Sequence, residues 1–263
     1  MMLYMVNYAN EKFKDAQKYN SKTALDVGAF DHVFECGPEL IDPAFANRHR
    51  RILSMPRGGG YWQWKPYFVR KCLDLIADGE ILFYSDSGAH FRMSAKPLAN
   101  LPIQFGQDVI PFELELNEGV WTKRDAFVLM ECEGRGFEHS RQRLASFIVV
   151  RKSAFSIEFL DKYLDYCTDE RILTDAENVC GLPNFDGFIE HRHDQSVFSL
   201  LTKKYGLKAF RDPSQWGNSR VAEYQNSSYG QIVRHTRSRN PKEAKLLYRV
   251  KRLLFPRRRE SSP

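Results

Sequence analysis

The sequence predicts a single α/β domain in which helices flank a mostly parallel central sheet. Short apolar runs with strand character alternate along the chain with longer segments whose apolar residues recur at helical spacing. Such alternation is typical of parallel strands joined by crossover helices. The 263 residues, 43% hydrophobic and 27% charged, have an ordinary globular composition and are numerous enough to bury a substantial core.

The first third of the chain supplies three predicted strands and two helices. The strands are the apolar runs at 3–8, 30–36 and 80–84. The helices are predicted at 11–22 and 65–77. Pro66 suits the first turn of the second helix, and Gly79 follows its end. Four apolar residues recur on one face of this helix: Val69, Cys72, Leu73 and Ile76.

The second half of the predicted domain repeats the alternation. Its elements are strands at 144–152 and 207–210 and helices at 153–167 and 195–205. Asp194 is the predicted N-cap of the last helix, and Gly206 ends that helix. Residues 102–143 look less regular and predict a long insertion between core strands. Such an insertion either recognises a second substrate or forms a mobile surface loop, and the sequence leaves both interpretations open.

The net charge of +6 is concentrated near the end of the chain. Residues 242–259 hold eight Lys or Arg side chains against one Glu, whereas the remainder has 31 basic and 32 acidic side chains. A neutral body argues against nucleic-acid binding. From Pro241 onward, apolar and basic residues follow the pattern of an interfacial helix on an anionic membrane. A helix packed on the body with a solvated basic end is the alternative.

Cysteine usage and the lack of long apolar runs indicate a cytoplasmic protein. The five cysteines have no C-x-x-C spacing, which fits free thiols in a reducing cytosol. The start of the chain lacks a secretory-signal pattern, and no apolar run approaches the ~20 residues of a membrane span. We therefore expect a folded domain at 1–240 and a basic amphipathic tail at 241–263 that holds it on the inner face of the cell membrane.

Two segments in the first half have residues suited to binding phosphate. The strand at 80–84 runs into Ser85-Asp86-Ser87-Gly88, which is either a turn or a place where Asp86 holds a cation and its attached phosphates. The segment 57–66 has three glycines that permit close approach of the backbone to a ligand, and Lys65 lies at a helix start. Its structural alternative is a hairpin or bend packed by Trp62 and Trp64.

The histidines of the second half suggest a further site. His193, Asp194 and Gln195 lie at the start of a predicted helix, where the helix dipole favours anions. The structural alternative is that Asp194 only caps the helix and His193 is a loop residue. His235 is either a ligand or a satisfied structural histidine.

Four motifs together resemble a known family. The motifs are GYWQWKPYFVRKCLD, EILFYSDSG, ASFIVVRKS and HRHDQSVFSLL. They resemble nucleotide-sugar glycosyltransferases of the GT-A fold, and more closely a group of bacterial enzymes that build capsular and lipopolysaccharide sugars. The resemblance covers most of residues 1–240. It implies a catalytic domain that transfers a sugar from a nucleotide-diphosphate donor, favouring a UDP-sugar, to a glycan or lipid-linked acceptor.

The resemblance also implies roles for individual residues. Asp86 matches the one retained acid of the Asp-x-Asp element that binds Mn²⁺ or Mg²⁺, and His235 is the candidate late histidine ligand. The second acid of the element would stand two residues before or after Asp86, where the sequence has Tyr84 and Gly88, so the element is degenerate. One carboxylate needs diphosphate oxygens, waters or His235 to complete a metal site.

The remaining implied roles concern the donor. The base and ribose would lie against Asn7 and Tyr8, and the phosphates against the segment that contains Trp64 and Lys65. Three residues are the implied catalytic group: His193, Asp194 and Gln195. Asp194 would hold sugar hydroxyls and Gln195 would lie below the anomeric carbon. An amide is a poor nucleophile and can only stabilise an oxocarbenium-like state, which favours a retaining mechanism.

Two other functions remain open on the sequence. The same sheet edge and acid would also suit a nucleotidyltransferase or phosphotransferase, which releases pyrophosphate or a phosphorylated product. A carbohydrate- or membrane-binding module is the non-enzymatic alternative, because the degenerate Asp-x-Asp element would then mark lost catalysis.

Overall fold

A six-stranded sheet forms the centre of the protein, seen in a computed structural model that describes residues 1–236. The strands are β1 (Leu3–Tyr8), β2 (His32–Cys36), β3 (Ile81–Ser85), β4 (Ala89–Phe91), β5 (Val109–Asn117), β6 (Arg141–Arg151), β7 (Phe210–Arg211) and β8 (Val233–His235). The order in the large sheet is β2-β1-β3-β6-β5-β7, while β4 and β8 form a separate antiparallel pair. Only β6 runs against its neighbours in the large sheet. The predicted α/β class with a mostly parallel sheet is confirmed.

Helices cover the sheet. The α-helices are α1 (Lys14–Asp26), α2 (Pro43–Arg48), α3 (Arg50–Leu53), α4 (Gly58–Tyr61), α5 (Trp64–Asp74), α6 (Lys96–Ala99), α7 (Leu101–Phe105), α8 (Glu118–Trp121), α9 (Arg124–Leu129), α10 (Arg135–Glu138), α11 (Ala154–Thr168), α12 (Glu170–Leu173) and α13 (Asp194–Lys204). Short 3₁₀ helices span Glu11–Phe13, Pro38–Leu40 and Gln215–Glu223. The four helices predicted from the sequence correspond to α1, α5, α11 and α13.

Two apolar cores lie on opposite faces of the sheet, as the alternation of β3 shows. Leu82 and Tyr84 point into the core formed with α5, α11 and α13, whereas Ile81 and Phe83 point into the other. All five residues of β3 are buried, which is why the strand reads as a continuous apolar run. The end of this strand is therefore rigidly placed between both layers.

The prediction for residues 102–143 is wrong, because this region contains a strand of the central sheet. In β5 the first four residues are buried, but the outer half holds Glu113 and Glu115 and is partly exposed. Glu113 pairs there with Arg143, at 3.6 Å from Oε2 to Nη1. The charged residues that suggested a loop lie in the outer half of this paired strand. Helices α8 to α10 follow the strand.

The predicted strand at 207–210 is present only as the two-residue β7. The side chain of Gln107 occupies both backbone groups of Lys208, at 2.8 Å to the amide nitrogen and 3.0 Å to the carbonyl oxygen. Because a side chain takes these hydrogen bonds, ladder pairing begins only at Phe210, which lies opposite Phe112.

The C-terminal tail predicted at 241–263 lies outside the described residues, so its helix and its membrane contact stay predictions. Within residues 1–236 no helix has the length and apolarity needed to cross a membrane.

Candidate active site

A cavity of about 550 Å³ opens where β1 and β3 end. Its lining includes residues 8–10, at the end of β1, residues 86–88, which follow β3, and the start of α13. Eight of the nine side chains predicted as site residues line it: Tyr8, Trp64, Lys65, Asp86, His193, Asp194, Gln195 and His235. The carboxyl ends of parallel strands are the usual binding place in such sheets.

Asn7 is the predicted site residue that does not line the cavity. Its side chain is fully buried and turned towards α1. The Asn7 amide nitrogen donates to Asn20 Oδ1 at 2.7 Å and to Ser21 Oγ at 3.0 Å, and Gln17 Nε2 donates to Asn7 Oδ1 at 3.0 Å. These contacts fix the helix to the strand, so the structure does not place Asn7 where a base or ribose would touch it.

Lys65 lies between the two carboxylates of the cavity. Its ammonium nitrogen is 2.7 Å from Asp194 Oδ2 and 3.7 Å from Asp86 Oδ1, and it donates to the carbonyl oxygen of Ala145 at 3.1 Å. The side chains of Lys65 and Asp194 are each 4% exposed, whereas that of Asp86 is 27% exposed. The sequence predicted a phosphate contact for Lys65, and the structure adds that this cation is already held by two acids.

The surroundings decide the charge of each group. Burial lowers the pKa of Lys65, but the charges of Asp194 and Asp86 outweigh burial and raise it overall. Burial raises the pKa of Asp86, yet Lys65 and His235 lower it below its ordinary value. Burial raises the pKa of Asp194 to about 6 although Lys65 opposes the shift. At neutral pH the lysine and the two acids have one positive and two negative charges, which favours a further cation beside Asp86.

Asp86 and His235 form the predicted metal pair. The pairing of β4 with β8 brings His235 opposite Ala89, and His235 Nε2 lies 3.9 Å from Asp86 Oδ2. The other carboxylate oxygen of Asp86 accepts a hydrogen bond from the Tyr84 hydroxyl at 2.7 Å. Across residues 1–236 no group of three or more His, Cys, Asp or Glu side chains is arranged for a metal. One oxygen and one nitrogen donor fit an open divalent site that a substrate completes.

The glycine-rich segment is a tight left-handed turn rather than an extended strand. Gly58, Gly59 and Gly60 all have positive φ, and a Cβ on Gly60 would lie 2.8 Å from Leu53 Cα. This turn brings the Trp64 indole nitrogen to the Gly58 carbonyl oxygen at 2.9 Å. The bend interpretation is therefore confirmed, and the glycines are needed for it.

Two aromatic rings line the cavity beside this turn. The rings of Tyr8 and Trp64 stack with centroids 3.7 Å apart and an interplanar angle of 16°. Both residues are largely buried, with 9% and 6% of their surface exposed. The pair forms a rigid apolar wall next to the charged groups.

The start of α13 differs from its prediction. His193, not Asp194, is the N-cap residue, and it has a strained φ of 52°. Asp194 lies inside the first turn, where its carboxylate faces Lys65 and accepts from the Tyr163 hydroxyl at 3.3 Å. The His193 ring donates through Nδ1 to the Leu173 carbonyl oxygen at 2.9 Å and stacks on Trp62. Burial lowers the pKa of His193, so the ring is neutral at neutral pH.

Sequence reasoning missed the groups that support the charged cluster. Tyr163 lies on the buried face of α11, and a hydroxyl on such an apolar face was the available signal for a polar partner. Arg57 was also missed, although it directly precedes the three glycines. Its guanidinium binds Asp175 at 3.2 Å and Glu190 at 3.1 Å, which links the glycine turn to the loop before α13.

Comparison with known proteins shows which solved structures have a similar fold. No protein-family model and no curated relative matches this sequence. Mouse xyloside xylosyltransferase 1 is similar in structure, with 9% identity, a TM-score of 0.50, and coverage of 92% of this chain and 99% of that one. A glycosyltransferase involved in glycosylation of the major capsid of PBCV-1 has 12% identity, a TM-score of 0.46 and coverage of 95% and 100%. The galactosyltransferase LgtC has 15% identity, a TM-score of 0.38 and coverage of 88% and 86%.

The similarity to the xylosyltransferase extends over nearly the whole of both chains. The chain therefore has the GT-A glycosyltransferase fold that its motifs predicted.

Proposed function

We propose that this protein is a glycosyltransferase that moves a sugar from a nucleotide-diphosphate donor, a UDP-sugar by preference, to an acceptor hydroxyl. The observation that supports the proposal is the cluster of Asp86, Lys65 and Asp194 in the cavity at the strand ends. A leaving diphosphate needs positive charge as the glycosidic bond breaks, and the sugar needs fixed hydrogen-bond acceptors. The cluster offers both within one cavity.

The donor's diphosphate end is assigned to the Asp86 side of the cavity. Asp86 and His235 are the residues that would hold Mn²⁺ or Mg²⁺, and such an ion supplies charge neutralisation for the leaving diphosphate. Lys65 adds a fixed positive charge 3.7 Å from Asp86. The Tyr8–Trp64 wall excludes water on the adjoining side, which strengthens these charge interactions.

The sugar end is assigned to the start of α13. The Asp194 carboxylate, ionised and anchored by Lys65, accepts hydrogen bonds from sugar hydroxyls. The carbonyl oxygen of Gln195 stabilises positive charge that develops at the anomeric carbon. Since an amide is a weak nucleophile, the proposal favours retention without a stable covalent intermediate on Gln195. His193 shapes the cavity wall as a neutral ring.

Turnover of nucleotide sugars tests the proposal. The purified protein, given Mn²⁺ and a panel of UDP-, GDP-, CDP- and dTDP-sugars, is expected to hydrolyse one donor slowly and release the nucleoside diphosphate. Release of pyrophosphate instead would support the nucleotidyltransferase alternative. Absence of both binding and turnover with every donor, with or without Mn²⁺, would contradict the proposal.

Asp194 gives the proposed activity a defined pH dependence. Its pKa is raised to about 6, so the carboxylate gains a proton as the pH falls through that value. Protonated Asp194 loses its ion pair with Lys65 and can make only weaker, neutral hydrogen bonds to sugar hydroxyls, so we expect kcat/KM to decrease below about pH 6. A pH profile of donor hydrolysis at saturating metal measures this. An acid limb at the ordinary aspartate pKa would contradict the assignment of Asp194.

The acceptor is proposed to be a capsular or lipopolysaccharide glycan at the inner membrane face, on the basis of the motifs and the basic tail. One described feature adds support. Gln215 forms hydrogen bonds with both backbone groups of His235, which lies shortly before the predicted tail in the sequence. Trp216, the residue after Gln215, is 64% exposed. An exposed tryptophan suits an anionic membrane surface, and the predicted basic tail follows His235 in the sequence.

Fluorescence of Trp216 tests the membrane contact. Of the four tryptophans it is the exposed one, so its emission should shift to shorter wavelength when the full-length protein meets phosphatidylglycerol vesicles. Replacing it by serine should weaken vesicle binding about tenfold, because burying part of an indole is worth ~1.4 kcal/mol or more. Phosphatidylcholine vesicles are the control. An unshifted spectrum with anionic vesicles would contradict the contact.

A further inference from the structure

A buried polar network lies directly behind Gln195. At its centre is Glu118, which is fully buried and accepts hydrogen bonds on both carboxylate oxygens. Its donors are Thr122 at 2.6 Å, Gln142 at 3.1 Å, Ser199 and Lys203. Lys203 balances the charge of Glu118, since the two form a buried ion pair. Apolar side chains of similar volume would often stabilise the fold as well as or better than such a network. The presence of the network therefore suggests a role other than stability.

The network fixes the direction of the Gln142 amide. The amide nitrogen of Gln142 faces the Glu118 carboxylate, which can only accept hydrogen bonds. The carbonyl oxygen of Gln142 must then point the other way, and there it accepts from Gln195 Nε2 at 2.8 Å. Gln142 is fully buried, so water does not compete for these contacts.

The direction of Gln142 in turn fixes Gln195. Because Gln195 Nε2 is used by Gln142, the carbonyl oxygen of Gln195 lies on the other side and accepts from the backbone N–H of Ala145 at 3.3 Å, which leaves its second lone pair for another partner. The carbonyl oxygen of Ala145 accepts from Lys65. The backbone of Ala145 thus contacts both Gln195 and Lys65, and Gln195 itself lines the cavity.

We propose that Gln142 is a positioning residue that holds the Gln195 amide with its oxygen, not its nitrogen, available to the donor sugar. The proposal rests on the proposed function, in which that oxygen faces the anomeric carbon. If the amide were reversed, an N–H group would face developing positive charge and raise the barrier instead of lowering it. The buried Glu118 acts one step further back, by holding Gln142.

Two substitutions separate positioning from a structural role. Gln142→Met keeps the volume but removes the acceptor for Gln195, and we expect kcat for donor hydrolysis to decrease about 10- to 100-fold with an unchanged donor Kd. Gln142→Glu keeps an acceptor for Gln195, so kcat should stay within about fivefold of the original chain. At pH 8 the order of the two variants in melting temperature should be the reverse of their order in kcat. A second carboxylate beside Glu118 costs stability, and the Gln142→Glu chain should therefore melt at the lower temperature.

The outcomes are distinct. Activity that is retained in the less stable Gln142→Glu chain and lost in Gln142→Met supports the proposal. A Gln142→Met chain within about twofold of the original kcat, or activity that follows melting temperature in both variants, overturns it. If Gln142→Met does not fold, Gln142→Asn, too short to reach both partners, replaces it. An original chain that turns over no donor would contradict the proposed function itself, which the same assay detects.

Discussion

Replacing Asp86 by asparagine is expected to lower kcat for donor turnover about 10³-fold, because the carboxylate that would hold a divalent cation beside the leaving diphosphate is lost. The amide has the same shape and can still accept from the Tyr84 hydroxyl, so the fold should persist. It no longer has the charge that, together with His235, would hold a divalent cation. The measurement is nucleoside diphosphate release at saturating donor and Mn²⁺.

Asp78 provides a matched control for this substitution. Its side chain is 88% exposed, and its ion-pair partner Lys152 is 4.0 Å away. Asp78→Asn removes the same charge outside the cavity lining and should leave kcat unchanged. If Asp86→Asn retained activity within about tenfold of the original, Asp86 would lose its assigned role.

Replacing Lys65 by methionine should affect both stability and turnover. Asp194 would lose the cation 2.7 Å from its carboxylate while remaining buried. Breaking a buried pair by removing one partner costs about 3–5 kcal/mol of unfolding free energy. The pKa of Asp194, already raised to about 6, should rise further, and donor turnover should fall below detection since both diphosphate neutralisation and sugar binding are impaired.

A second substitution separates the two effects of Lys65. In the Lys65→Met/Asp194→Asn double variant the uncompensated charge is absent, so urea denaturation should show much of the lost stability restored. Turnover should not return, because neither the cation nor the carboxylate is present. Recovery of turnover together with stability would mean that the pair only supports the fold.

Elements that depend mainly on neighbouring residues were predicted correctly from the sequence. The apolar run of β3 and the abrupt change after it correctly indicated a buried strand that ends at Ser85, because both features depend on neighbouring residues alone. Strand β5 was missed for the opposite reason. Its outer acid Glu113 is stabilised by Arg143 and Arg220, which lie far along the chain, and no local pattern reveals those partners.

The orientations and partners of the site residues also depend on the folded arrangement, which local sequence patterns do not reveal. Successive side chains of a strand point to opposite faces, so Asn7 and Tyr8 at the end of β1 could not both face the cavity. Tyr8 joins the core shared with Val6 and stacks on Trp64, whereas Asn7 turns towards α1. The pairing of Lys65 with Asp194, 129 positions apart in the sequence, likewise required the folded arrangement of α5 and α13.

Calorimetric titration of UDP into the protein with and without Mn²⁺, repeated with Asp86→Asn, tests the role of Asp86 most directly. We expect metal-dependent binding of UDP to the original chain and loss of that metal dependence in Asp86→Asn. Equal binding of UDP to both chains, or no binding to the original chain under either condition, would contradict the claim that Asp86 anchors the nucleoside diphosphate.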